Sequence, residues 1–250
     1  MVRFFIFLVL FTLSLYPAYA AELTAQQIID KSEDTMRSDT SRANAQMTIK
    51  TPDWERTLTL NMWDNRPKKT FLIRILSPAK EAGVGTLKIG NNLWNYLPSV
   101  EKVIKIPPSM MGNSWMGSDF TNDDLTKESE VDDYDYKLVG NETKEGYNLY
   151  KIECIPKPDS AVVWGKVLQW ICTDNYLPYR VEFYDEKGKL IKTLEYSDYK
   201  TLGGRVIPTR WVMKNVSKEG NSTIVQINRM EFDISISDEV FTLRNLQKTK

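Results

Sequence analysis

Residues 57–62 read Thr57-Leu58-Thr59-Leu60-Asn61-Met62, with an apolar side chain at every second position. The same period of two returns at 70–75 and then through most of the chain, near 84–106, 134–141, 146–155, 163–174, 177–185, 190–200, 206–217 and 221–234. This pattern is typical of β-strands that bury one face. Turn-forming residues such as Gly203-Gly204 separate the runs, so the sequence predicts about eleven to thirteen strands.

The predicted strands are expected to form one antiparallel sheet. Helical patterns do not separate the runs, so neighbouring strands must be joined mainly by hairpins. A sheet of more than about ten strands rarely stays open without curling or splitting in two. Long runs such as 223–235 suit a tall, curled sheet better than a sandwich. The sequence therefore predicts a mainly β fold.

One helix is expected before the first strand. Thr24 and Gln27 fit a capping box, in which each side chain satisfies a backbone N–H group of the other residue. Ile28, Ile29 and Met36 then supply an apolar stripe at helical spacing. These signals predict a helix of about 15 residues.

The first 20 residues have the three parts of a secretory signal peptide. A short basic start, Met1-Val2-Arg3, precedes an apolar run from Phe4 to Tyr16 and a small-residue box at Ala18-Tyr19-Ala20. We expect cleavage after Ala20 and export, which in a Gram-negative cell means the periplasm. Residues 21–250 are then expected to form a single domain.

The charge balance and the residue types exclude several classes of function. Lys and Arg number 33 and Asp and Glu number 33, so no basic excess is available for nucleic-acid phosphates. The absence of histidine excludes Ser-His-Asp and Cys-His catalysis and removes the commonest metal ligand. Eight acidic residues lie between Asp119 and Asp135, but their spacing lacks the calcium-binding D-x-D-x-D-G loop. We expect no enzyme activity, catalytic residue, metal, cofactor or nucleic-acid partner.

The two cysteines, Cys154 and Cys172, fall on adjacent predicted strands of one hairpin. An exported protein with two such cysteines is a candidate for a disulfide bond. The strand register decides the outcome, because a slip of one residue would place the two sulfurs on opposite faces of the sheet.

One segment, 107–130, interrupts the strand pattern. It contains Met110, Met111, Trp115 and Met116 among small residues, and Thr121 and Asp124 form a second capping signature that predicts a short helix. Long connections inside a compact β domain are usually functional. Methionine is flexible and suits variable apolar ligands. We therefore interpret the four large apolar residues as a lid over a ligand.

Several strings in the chain resemble a bacterial family of outer-membrane lipoprotein-sorting, or LolA-like, proteins. They are Trp115-Met116-Gly117-Ser118-Asp119-Phe120-Thr121-Asn122-Asp123-Asp124-Leu125, Pro156-x-Pro158, Val163-Trp164-Gly165-Lys166-Val167, Tyr176-Leu177-Pro178-x-Arg180-x-Glu182-Phe183-Tyr184-Asp185, Lys192-Thr193-Leu194 with Tyr199, and Ile207-Pro208-Thr209-Arg210. The resemblance covers nearly all of the chain after the leader and is densest over 107–235.

The resemblance implies a strongly curved antiparallel sheet that forms a half-open barrel, with an N-terminal helix and a helical lid over an apolar cavity. It also implies a carrier of lipid or lipoprotein acyl chains between membranes, with transient membrane contact and an inner-membrane RND-type transporter as a partner. We expect the cavity to be lined by Leu58, Leu60, Met62, Phe71, Ile73, Trp94 and Tyr96. Met110, Met111, Trp115 and Met116 are expected to close it.

Three other readings stay open at this point. The first is an exported adaptor or scaffold of a membrane transporter, with a filled core and no lipid cargo. The second is a transmembrane β-barrel, which the charged residues on predicted strands oppose. These residues are Arg74, Lys88, Lys102, Lys105 and Lys166. The third is an enzyme that uses tyrosine and carboxylates, which no spacing supports.

Overall fold

A computed structural model describes residues 22–126, 133–158, 160 and 162–248 of the chain. The predicted leader, 1–20, lies outside the described residues. The strands are β1 Thr40–Lys50, β2 Glu55–Asn65, β3 Thr70–Ser77, β4 Gly85–Ile89, β5 Asn92–Leu97, β6 Lys102–Lys105, β7 Tyr134–Lys144, β8 Tyr147–Pro156, β9 Lys166–Cys172, β10 Pro178–Tyr184, β11 Leu190–Leu202, β12 Arg205–Asn215 and β13 Ser222–Phe232. The helices are α1 Ala25–Met36, α2 Asn122–Thr126 and α3 Leu243–Leu246.

All thirteen described strands belong to one antiparallel, curved and open sheet, which confirms the prediction. Its order is β6-β5-β4-β3-β2-β1-β13-β12-β11-β10-β9-β8-β7. Every neighbouring pair is a hairpin or a direct connection in sequence, except β1 with β13, which joins the first six strands to the last seven. The edges are therefore β6 and β7, and the chain between them must pass from one side of the sheet to the other.

Helix α1 begins as the sequence predicts. The Gln27 backbone N–H donates to the Thr24 hydroxyl at 3.2 Å, and the Thr24 N–H donates to the Gln27 side chain at 2.9 Å. Ile28 and Ile29 are buried in a cluster with residues of β8, β9 and β12, including Ile152, Ile171 and Met213. Because this cluster lies on the concave face, α1 covers one end of the hollow formed by the curled sheet.

The connection between β6 and β7 crosses the concave face, and we call residues 106–126 the strap. Trp115 Nε1 donates to Thr86 Oγ1 of β4 at 3.0 Å. The Arg56 guanidinium of β2 donates to the Met116 carbonyl. The Asp119 backbone N–H donates to Thr223 Oγ1 of β13 at 2.8 Å, and Lys192 of β11 pairs with Asp124. The strap therefore touches β4, β2, β13 and β11 in the order in which these strands stand in the sheet.

The convex face of β3–β5 is covered by the C-terminal segment. Phe241 and Leu246 are buried against Leu72 and Leu87. The Arg74 guanidinium donates to the carbonyls of α3, including that of Asn245 at 2.7 Å. This contact satisfies carbonyl groups that the short helix leaves without an intrahelical partner.

No helix within the described part of the chain is both long enough and apolar enough to cross a membrane.

Candidate functional site

A cavity lies between the concave face of the sheet, the strap and α1. It has two lobes with volumes of about 430 and 320 Å³. These volumes fall within the range of small-molecule sites. The two lobes meet at residues that line both of them, which are Glu33, Phe120, Asp124, Gln169, Val181, Tyr196 and Trp211. Phe120 of the strap and Trp211 of β12 therefore stand at the division between the lobes.

The two lobes differ in the chemistry of their walls. The apolar wall of the first lobe is mainly aliphatic and methionine-rich, formed by Met36, Ala43, Met62, Phe71, Ile73, Leu125, Ile207, Ile227 and Met230. The wall of the second lobe is richer in aromatic residues, with Tyr134, Tyr136, Trp164 and Phe183 beside Ile29, Val162, Val167, Leu194 and Met213. Flexible methionine side chains adapt to chains of variable shape, whereas aromatic rings present rigid apolar faces.

Three of the predicted lining residues lie in the cavity wall. Met62, Phe71 and Ile73 line the first lobe. Leu58 and Leu60 share the concave face with them but are buried in a core cluster with Trp115. The strap fills the concave face around Leu58 and Leu60. The open part of the cavity therefore begins at Met62, the next residue of β2 on that face.

Trp94 and Tyr96 do not line the cavity, contrary to the prediction. Both belong to the cluster on the convex face, under Phe241 and Leu246. Strand β5 is apolar on both faces, since Leu93 and Leu97 alternate with this pair. The alternation alone does not show which of the two pairs faces the cavity, because the C-terminal segment that buries the convex face is distant in sequence.

The four predicted lid residues are separated in the structure. Trp115 is 3% exposed and packs in the concave core, and Met116 packs against the same cluster. Met110 is 44% exposed and Met111 is half-buried, and neither lines the cavity. The apolar strap residues that line the cavity are Phe120 and Leu125 instead, beside the acidic Asp123 and Asp124. Trp115 therefore anchors the strap, while the residues after it cover the ligand space.

Cys154 and Cys172 are free thiols, so the candidate disulfide is not formed. Cys154 is paired with Val167, whereas Cys172 is paired with Leu149, which lies five residues before Cys154 in β8. That offset corresponds to about 16 Å along the strand and, being odd, places the sulfurs on opposite faces. Burial raises the pKa of the Cys154 thiol to about 12, which keeps it protonated and unreactive.

The strap carries a buried ion pair at the cavity. Lys192 Nζ lies 2.5 and 2.6 Å from the two carboxylate oxygens of Asp124. The same ammonium group stands over the rings of Trp164 and Phe183, at 4.7 and 4.9 Å from their centroids. Asp124 Oδ2 also accepts the Thr121 backbone N–H at 2.7 Å, as the capping signature predicts. The Asp124 carboxylate therefore both caps the start of α2 and fixes this helix to β11.

A second anchor is a buried carboxyl group. The Thr223 hydroxyl donates to Asp119 Oδ2 at 2.8 Å while it accepts the Asp119 backbone N–H. Burial raises the pKa of the Asp119 carboxyl above its usual range. Asp119 and Asp124 belong to the acidic run noted in the sequence, and both hold the strap in place.

The rim of the first lobe is polar. Arg37, at the end of α1, lies 3.6 Å from Glu33 and 4.0 Å from Asp64, measured between side-chain nitrogen and oxygen atoms. These side chains are about a quarter exposed. Such a rim suits the polar head of an amphiphile whose apolar part lies deeper.

The tyrosines of the second lobe are neutral. Burial raises the pKa of Tyr134, Tyr136 and Tyr196 well above the usual value for phenols. Their hydroxyl groups therefore stay protonated at physiological pH and contribute no charge to the wall. Among the residues described, no three acidic, cysteine or histidine side chains are grouped so that they could hold a metal ion.

Most of the cavity wall was not identified from the sequence. Phe120 and Leu125 lie in a string that the family resemblance contains, so that signal was available. Other wall residues come from strands in the second half of the chain, for example Val181, Trp211 and Ile227. The alternation in these strands predicts a buried face, but it does not show that a cavity lies against that face. Curvature of the sheet, which leaves the hollow, is a property of the whole fold.

The comparisons agree on the fold. A family model described as an uncharacterized protein matches residues 67–248. A DUF1329 family protein from Desulfovibrio piger is similar with a TM-score of 0.81 and 26% identity, over 89% of this chain and 97% of that one. A LolA superfamily protein from Nitrosomonas europaea is similar with a TM-score of 0.75 and 26% identity, over 90% of this chain and 100% of that one.

A third solved structure shows the same fold. It is an outer membrane lipoprotein-sorting protein domain from Vibrio parahaemolyticus, with a TM-score of 0.80 and 24% identity over 90% of this chain and 98% of that one. A comparison with curated proteins gave no match.

Proposed function

The chain belongs to the family whose model matches residues 67–248, and it is similar to solved DUF1329 and LolA superfamily proteins; from this premise we propose that it is a non-enzymatic periplasmic carrier of acyl chains. It would bind the chains of a lipid or lipoprotein in the two-lobed cavity and move them between membranes, with an inner-membrane RND-type transporter as a partner. The observation that carries the proposal is the cavity itself. An adaptor with no cargo would have no need of an unfilled apolar hollow.

A carrier of acyl chains must shield a large apolar surface from water. Each CH₂ group of an acyl chain exposed to water costs about 0.8 kcal/mol, so a lipid does not cross an aqueous compartment unescorted at a useful rate. The walls of the two lobes supply apolar surface from both halves of the sheet. The polar rim at Glu33, Arg37 and Asp64 leaves the head group near water.

Release is expected to involve the strap. Phe120 and Leu125 cover the cavity, where Phe120 lies between the Asp119 and Asp124 anchors and Leu125 directly follows the second anchor. Movement of the strap or α1 would widen the exit for a cargo held under this part of the strap. Export to the periplasm and removal of residues 1–20 belong to the same proposal.

Filling the cavity should abolish acyl-chain binding. Val181 lines both lobes and is 8% exposed, so Val181→Trp places an indole where the lobes meet. Exclusion of only two CH₂ groups costs about 1.6 kcal/mol, which corresponds to a loss of affinity of more than about tenfold. We expect at least this loss in a titration of delipidated protein with a fluorescent fatty acid.

Val206→Trp is the matched control, because Val206 is 48% exposed and lies outside the cavity. Its affinity should equal that of the wild type. Ala43→Phe, in the wall of the first lobe alone, serves as a second variant if Val181→Trp does not fold. Equal affinity of folded cavity variants and control would refute the proposal and favour the adaptor.

A further inference from the structure

The outer edge of β7 is the long free edge of the sheet. β7 has 11 residues, whereas β6 at the opposite edge has 4. β7 pairs with β8 on one side, and no described strand pairs with it on the other. From Lys137 to the end of the strand every side chain is exposed. Such an edge presents unpaired backbone N–H and C=O groups to another strand.

A β-bulge changes which residues of β7 share a face. Leu138 pairs with Ile152 and Gly140 with Lys151, so Val139 is an extra residue. Before the bulge the even-numbered residues face the concave side, as Tyr134 and Tyr136 do in the second lobe. After it the odd-numbered residues do, since Asn141 pairs with Tyr150, which packs in the concave cluster.

We propose that β7 pairs antiparallel with β7 of a second copy of this chain, across a two-fold axis near the bulge. In this register Lys137 lies opposite Glu142 of the second copy, and Asp135 lies opposite Lys144 of the second copy. All four residues are on the convex face. The same register sets Tyr136 opposite Thr143 and Leu138 opposite Asn141, which are on the concave face.

The bulge makes this register consistent with the faces of the sheet. Directly opposite residues in an antiparallel pair share a face, so a regular strand could pair with itself only where both residue numbers are odd or both are even. The charge-matched register joins odd to even numbers. Opposite residues still share a face in this register, because the extra residue, Val139, shifts the alternation of β7 by one.

The charges of β7 fit a copy of the same strand. Asp135, Lys137, Glu142 and Lys144 are exposed, and none of them forms an ion pair within the described ranges. Opposite charges directly across a strand pair stabilise the pairing, and like charges oppose it. The two-fold axis doubles each contact. Pairing of β7 with β6 of another copy would instead leave free edges that extend into a filament.

The proposed dimer would bring the two cavities together. Tyr134 and Tyr136 project from β7 into the second lobe. Joining the sheets at β7 therefore places the second lobes of both copies on one continuous concave surface. The pairing does not depend on whether the cavity carries lipid, so it can fail or hold independently of the proposed function.

Sedimentation velocity over a wide range of protein concentrations tests the proposal. Edge pairing buries less surface than a standard interface, so we expect a reversible dimer that salt weakens. Lys137→Glu opposes Glu142 of the second copy and should raise the dissociation constant at least about tenfold. The double variant Lys137→Glu with Glu142→Lys restores opposite charges and should restore the dimer. Lys80→Glu, at an exposed site far from β7 in sequence, is the control.

Restoration by the double variant would not follow from a general loss of folding, so it identifies the β7 contact specifically. A wild-type monomer at every concentration would overturn the proposal. So would a dimer that Lys137→Glu leaves intact, which would place the interface elsewhere, or a double variant that is as monomeric as the single one.

Discussion

Replacing Trp115 with alanine should lower the free energy of unfolding by about 3–5 kcal/mol, the usual cost of removing a buried aromatic side chain. Trp115 is 3% exposed and lies in the concave core with Leu58 and Leu60. Its Nε1 group donates to Thr86, whose hydroxyl in turn donates to Asn95. Truncation would therefore leave a void and loosen the first anchor of the strap. Urea denaturation measures the change.

Trp54→Ala is the matched control. Trp54 is 45% exposed, and its described ring contact is with the guanidinium of Arg56, at 5.5 Å. Its truncation should cost less than about 1 kcal/mol. Equal losses in the two variants would contradict the assignment of Trp115 as the buried anchor of the strap.

Replacing Lys192 with methionine should also lower the free energy of unfolding by about 3–5 kcal/mol, because it leaves a largely buried carboxylate without its counter-charge. The side chains of Lys192 and Asp124 are 3% and 15% exposed. The pair joins α2 of the strap to β11, across the hollow of the sheet. Its loss should weaken the cover over the cavity as well as the fold. Denaturation by urea again gives the magnitude.

Two further variants distinguish loss of charge balance from loss of side-chain volume. Lys200→Met removes one partner of an exposed pair with Asp198, which should change the free energy of unfolding far less than Lys192→Met does. The double variant Lys192→Met with Asp124→Asn removes both charges but keeps an oxygen to accept the Thr121 N–H. It should recover much of the stability lost in Lys192→Met. A double variant less stable than the single one would contradict the ion-pair explanation.

The sequence predicts the local features of this fold well, for a simple reason. Period-two alternation and hairpin turns act over short stretches of chain, so the strands and their antiparallel arrangement follow from them directly. The capping residues Thr24 and Asp124 are equally local, and both act as predicted. These signals were sufficient for the number of strands and for the leading helix.

Features that depend on distant contacts were not predictable. Trp94 and Tyr96 face the C-terminal segment because Phe241 and Leu246, about 150 residues later, cover that side of β5. Cys154 and Cys172 are kept apart by the register of β8 with β9, which composition does not fix. The path of the strap depends on the order of strands across the whole sheet. Its anchors, Thr86, Thr223 and Lys192, are polar residues of separate strands that nothing in the local sequence distinguishes.

Native mass spectrometry of the protein purified from a Gram-negative periplasm without detergent tests the carrier proposal most directly. We expect the wild-type chain to carry an added mass that fragments to acyl chains, and Val181→Trp to carry none. A folded wild-type protein that has the bare polypeptide mass, and keeps it after incubation with lipid vesicles, would contradict the proposal and leave a docking protein with an empty hollow.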